Sequence, residues 1–99
     1  MLSKRELFNA KNAGQKIEKG MEFKVTNVGT FPDVDKDGNN VTVTALLTED
    51  GTIYTSISAT IANSIDMLNE IIEEEGAVTV KVNENTSNGG RTFYQLQII

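Results

Sequence analysis

The chain has 99 residues, 38% of them hydrophobic, no cysteine, no histidine and a net charge of −5. That length holds one small domain with a thin core. The composition excludes a disulfide framework, a thiolate or imidazole metal centre, and the Ser-His or Cys-His pairs of nucleophilic catalysis. No apolar run reaches the length of a membrane span, and the opening "MLSKRELFNA" lacks the apolar stretch of a signal peptide. The expectation is a soluble, intracellular domain with no membrane partner.

Charge is unevenly spread. Residues 1–20 carry five basic and two acidic side chains, a net +3, while residues 21–99 carry four and twelve, a net −8. A basic N-terminal helix or arm, 1–20, therefore precedes an acidic body, 21–99, and such asymmetry points to an interaction role for the arm.

Residues 3–13 read as a helix. Ser3 and Glu6 fit a capping box, and Leu2 and Leu7 stand where a hydrophobic staple would put them. "MEFKVTNVGTF" then alternates, with Met21, Phe23 and Val25 on one face and Glu22, Lys24 and Thr26 on the other; the alternation slips at Asn27-Val28-Gly29, which predicts a bulge or bend. "NVTVTALLTED" is a second strand with Val41, Val43, Ala45 and Leu47 inward, and Asp50-Gly51 a tight turn. In "TIYTSIS", Ile53, Thr55 and Ile57 share one side and Tyr54, Ser56 and Ser58 the other.

The period changes in "TIANSIDMLNEIIEEEG", where Ile61, Ile65, Leu68 and Ile72 fall at helical spacing, with Thr60 as N-cap and Gly76 just past the C-terminal end. Glu73, Glu74 and Glu75 lie at the wrong end for the helix dipole. They form a solvated end or a docking surface for a basic segment. "AVTVKVNEN" is a fourth strand with Val78, Val80 and Val82 inward. "RTFYQLQII" is a fifth, with Tyr94, Leu96 and Ile98 inward or, in the opposite assignment, outward.

Three strands, a helix and two strands make a mainly β domain. The order is that of the OB-fold, a five-stranded Greek-key barrel (β1-β2-β3-α-β4-β5), here with an extra N-terminal helix; a bent first strand serves both halves of such a barrel. An open α+β sheet with the helix on one face is the rival.

"FPDVDKDGNN", residues 31–40, resembles half of a calcium-binding loop: Asp33, Asp35, Asp37 and Gly38 are in place, but position 12 falls on Thr44, which cannot chelate in the bidentate way. A hairpin loop is the better reading, with no metal and no cofactor. In an OB-fold this loop and residues 84–90 flank the ligand face.

For catalysis the chain has no phosphate loop, no nucleophile elbow and no desolvated base, so no enzyme is expected. Single-stranded nucleic acid asks instead for rings that stack on bases and cations that follow phosphates. The candidates are Phe31, Tyr54 and Phe93 among rings and Lys24, Lys36, Lys81 and Arg91 among cations. By alternation, Lys24, Tyr54 and Phe93 point away from the apolar interior.

The run "NAGQKIEKGMEFKVTNVG" leading into a bent strand, with the ending "GGRTFYQLQII", resembles the small OB-fold single-stranded-DNA-binding proteins of bacteriophages and conjugative plasmids over most of residues 14–99. The resemblance implies sequence-tolerant binding of single-stranded DNA in replication, recombination or DNA transfer, in the bacterial host's cytoplasm. It also implies oligomers along the strand, and residues 1–16 would join the copies or touch the DNA. The alternative is a non-enzymatic protein–protein module that self-associates through basic arm and acidic body.

Overall fold

The computed structural model describes all residues, Met1–Ile99. The elements run α1 (Lys4–Ala13), β1 (Gln15–Lys16), β2 (Glu22–Val34), β3 (Asn40–Thr48), β4 (Ile53–Ser56), α2 (Ala59–Glu75), β5 (Val78–Thr86) and β6 (Thr92–Ile98). The strands form one sheet of order β1-β4-β3-β2-β5-β6, curled into a half-barrel, in a mixed α/β fold.

β2 shapes the sheet. Its first residues pair with β5 (Glu22↔Lys81 to Val25↔Val78), and the remainder pairs with β3 as far as Val34↔Asn40. The register shifts between Val25 and Asn27, so the bulge expected at Asn27–Gly29 centres on Thr26. An extra residue reverses the alternation. Val25 and Val28, three apart, consequently enter the same core. Gly29 is regularly paired with Ala45; its role is closeness, since a Cβ there would lie 2.9 Å from Leu7 Cδ2 and 3.1 Å from Leu2 Cβ.

Each face has its own cover. α2 lays Ile65, Leu68 and Ile72 on Val25, Val28, Leu46, Val78 and Val80. Ile61 joins Ile17 and Val82 on the same side. On the opposite face of β2, β3 and β4, α1 sets Leu2 and Ala10 against Ala45, with Leu7, Phe31, Leu47 and Ile53 around them. This corrects the assignment of β3 and β4. Val43, Ala45 and Leu47 are inward only toward α1, while Leu46 and Tyr54, directly paired, face α2. Both faces of these strands are covered, so alternation alone could not say which set belongs to the larger core.

Residues 1–20 lie against the sheet. Ser3 Oγ accepts the Glu6 N–H (3.2 Å) and Glu6 Oε1 accepts the Ser3 N–H (3.0 Å), completing the capping box. The Leu2 N–H donates to the Val28 carbonyl (2.7 Å), beyond the last pair between β2 and β5. β1 then runs parallel to β4 through Gln15↔Tyr54 and Lys16↔Thr55. β1 was not expected from the sequence. It occupies the edge of β4 that a closed five-stranded barrel would offer to its last strand. No ladder joins β4 to β6; Ser58 Oγ, at the start of α2, donates to the Tyr94 carbonyl (2.7 Å) across that opening.

The N-cap of α2 is Ser58, two residues before the expected Thr60, and Gly76 (φ 85°) ends the helix with its N–H on the Ile72 carbonyl. The β2–β3 hairpin is longer than expected, so its loop shrinks to residues 35–39. Asp35 Oδ1 accepts the N–H groups of Asp37 and Asn39 (2.9 Å each), and Gly38 supplies φ 82°. The aspartates that resemble a calcium loop thus build a turn. At the β3–β4 turn, Asp50 accepts the Thr48 hydroxyl and the Thr52 N–H, and these bonds hold its carboxyl below the usual carboxylate range. No helix is long and apolar enough to cross a membrane.

Two outcomes follow from this packing. Gly29→Val forces α1 away from the sheet, and urea unfolding should show a loss of about 1–3 kcal/mol, the usual cost of overpacking. Asp50 is lowered in the fold, so its contribution is complete above the unfolded value of about 4 and is lost as pH falls through the lowered folded value. The urea midpoint of the parent should therefore fall more steeply between pH 5 and pH 3 than that of Asp50→Asn.

Candidate nucleic-acid interface

Beyond α1, the outer face of the sheet is open where β5 and β6 leave β2. Register fixes its residues: Lys81 lies between Glu22 and Gln97, Asn83 opposite Gln95, and Asn85 opposite Phe93. Asn83 Nδ2 donates to Gln97 Oε1 (2.8 Å), which ties two amides into the surface. Phe93 is half-buried and belongs to none of the three apolar clusters, whereas its neighbours Tyr94 and Leu96 pack inward. For Tyr94 and Leu96 the first of the two assignments is the one observed, whereas Ile98, expected inward with them, is 51% exposed at the end of the strand.

Lys81 borders a shallow depression of about 340 Å³ with Lys19, Gly20, Val82, Asn83 and Glu84. From the sequence, Lys19 is only one charge of the basic arm. Its place beside Lys81 depends on the Gly20 N–H bond to the Val82 carbonyl (2.8 Å), a long-range contact that no local pattern encodes. Lys24 shares this outer face, opposite Thr79, but is paired with Glu49 at 3.2 Å. Lys36 and Arg91 are exposed in the β2–β3 and β5–β6 loops; by register those loops lie toward opposite ends of β2. Of the nine basic side chains, only Lys24 and Lys11 (with Asp33, 3.9 Å) form ion pairs.

The other two rings are placed differently. Tyr54 points to the α2 side, contrary to the alternation argument. It stacks on Phe23 with centroids 4.5 Å apart and planes 16° from parallel, against the main core. The depression beside this pair, about 320 Å³, is lined by Glu22, Glu49 and Asp50 with only Lys24 to balance them. Three carboxylates repel a phosphate chain. Phe31 lies half-buried beneath α1. Phe8, not singled out in the sequence, is 65% exposed on α1, while the other five rings are half-buried.

Residues 2–99 match the family described as phage single-stranded DNA-binding protein, of the phi29 type. The chain belongs to that family. It is 28% identical to the single-stranded DNA-binding protein of Bacillus phage PZA and 30% identical to that of Bacillus phage phi29, with 94% of this chain and 82% of each relative covered. It is 29% identical to the corresponding protein of Bacillus phage B103, over 95% of this chain and 84% of the relative. No solved structure matches the chain. Family membership bears out the expected single-stranded DNA binding and makes the chain a binding protein rather than an enzyme.

Proposed function

We propose that this phage replication protein holds single-stranded DNA on the open outer face of β5 and β6, with Phe93 stacking a base and Lys81 and Lys19 on flanking phosphates. Asn83, Gln95 and Gln97 offer donors and acceptors that any base can use, which suits sequence-tolerant binding. Arg91 and Lys36 extend the path from the hairpin loops, and Lys24 joins it when Glu49 is displaced. Tyr54 packs on the inner side of the sheet near Tyr94 and Leu96, and Phe31 lies under α1, so neither ring stacks on DNA in this reading. The supporting observation is Phe93 itself, a ring outside every apolar cluster on a face with an unpaired ammonium.

The OB-fold is the architecture this reading favours. β2 to β6 follow its order, with one bulged strand shared between two half-sheets and a helix between the third and fourth strands of the motif. A DNA strand touching both Lys36 and Arg91 would run along the length of the curled sheet. Self-association through residues 1–16 would use only the outer side of α1, because Leu2 and Ala10 are buried on the chain's own sheet. The site of action is the cytoplasm of the bacterial host.

Titration of a labelled oligothymidylate by anisotropy tests the face. Phe93→Ala should weaken binding by about 1–3 kcal/mol, the usual worth of one base stack. Lys81→Ala should flatten the dependence of log K on log salt by about 0.7, one phosphate contact on a single strand. Unchanged affinity and slope in both variants would discard this surface. Glu49→Gln should act in the opposite sense: freeing Lys24 should raise affinity at low salt and steepen the slope by a similar 0.7.

A further inference from the structure

We infer that the outer side of α1 is a second single-stranded DNA contact, with Phe8 stacking on a base and Lys4, Arg5 and Lys11 holding the adjoining phosphates. This rests on the reading of the chain as a single-strand binder but uses a different element from the β5–β6 face. Phe8 lies on the helix side away from the buried Ala10 and is 65% exposed. Lys4 and Arg5 stand one turn before it and Lys11 one turn after, all exposed, so the ring is bracketed by cations at helical-neighbour spacing.

No carboxylate of the helix itself shares this side; the nearby one is Asp33 of β2, beside Lys11. Glu6, the only acid in α1, accepts the Ser3 N–H in the capping box. Lys4 and Arg5 have no ion-pair partner, and Lys11 reaches Asp33 only at 3.9 Å. A protein partner would ask for a contiguous apolar patch around Phe8, and the helix offers Lys4, Arg5, Lys11 and Asn12 instead. A lone ring among cations is the chemistry that takes a base and its phosphates.

The position of α1 supports the same occupant. The helix covers the outer face of β3 and β4, which in the favoured architecture is the face that takes oligonucleotides. It is fixed there by Leu2, Leu7 and the close approach at Gly29. A strand following that side of the molecule meets the helix surface in place of the sheet.

Anisotropy titration of the full chain with a labelled oligothymidylate, at two salt concentrations, tests the inference. Phe8→Ala should weaken binding about tenfold or more with thermal unfolding unchanged, because the ring contributes little to the core. Lys4→Ala with Arg5→Ala should flatten the salt slope by about 0.7 for each contact removed. Phe93→Ala, run beside them, separates this inference from the previous one. Loss with Phe93→Ala but not with either α1 variant overturns the helix contact and leaves the sheet face standing. Loss with the α1 variants alone supports the helix contact and removes the sheet face. If Phe8→Ala lowers only the mass in light scattering, with DNA affinity unchanged, the ring belongs to a protein contact and the inference falls.

Discussion

The extra residue at Thr26 is the constraint on which the other features depend. A regular 13-residue strand would keep one set of side chains on one face from end to end. With the register shifted between Val25 and Asn27, β2 presents Phe23 and Val25 to α2 while paired with β5, and Val28 to α2 again while paired with β3. The reversal lets one strand serve two half-sheets that curl around a single helix. The Thr26 hydroxyl, bonded to the Leu47 carbonyl at 3.3 Å, gives the extra residue a partner.

That curl divides the outer surface into two regions of different character. Over β2, β3 and β4 the residues are small or apolar (Gly29, Ala45, Leu47, Ile53), and α1 is needed to keep them from water. Over β5 and β6 they are amides, Lys81 and Phe93, and nothing covers them. The sequence difference between the two regions decides where the N-terminal helix docks. It also leaves a wettable, hydrogen-bonding strip over β5 and β6, the surface proposed for DNA.

Legibility from the sequence followed the range of the interaction. The Ser3–Glu6 capping box, the Asp35 turn and the Ile61, Ile65, Leu68 and Ile72 stripe are local, and their spacing alone places them. Tyr54 shows the limit. Period-two alternation separates two sets of side chains but does not say which set meets the larger core, and in β4 both faces are covered. β1 is too short to carry a pattern and exists only because β4 has a free edge. Lys19 reaches Lys81 through a turn and a backbone bond to Val82, so only the tertiary fold brings them together. For Phe8 a local signal is present, a ring spaced among Lys4, Arg5 and Lys11, but charge counting alone makes that stretch only a basic arm.

An acidic chain that binds a polyanion needs its carboxylates kept from the path of the DNA. Several are engaged or placed apart: Glu6 and Asp50 accept backbone and hydroxyl hydrogens, Asp35 closes a turn, and Glu73, Glu74 and Glu75 end α2 on the other side of the sheet. Most of the cations, by contrast, carry no internal ion pair. Net charge is then a poor guide to affinity, because screening confines each charge to about 8–10 Å at physiological salt and a phosphate responds to its neighbours rather than to the total. The residual charge of −5 still acts at longer range in dilute salt, where it opposes the approach of DNA. In the proposed binding mode, stacking, which salt does not screen, accordingly carries a larger share than it would in a basic protein of the same size, and the weight of recognition falls on the few rings left outside the core.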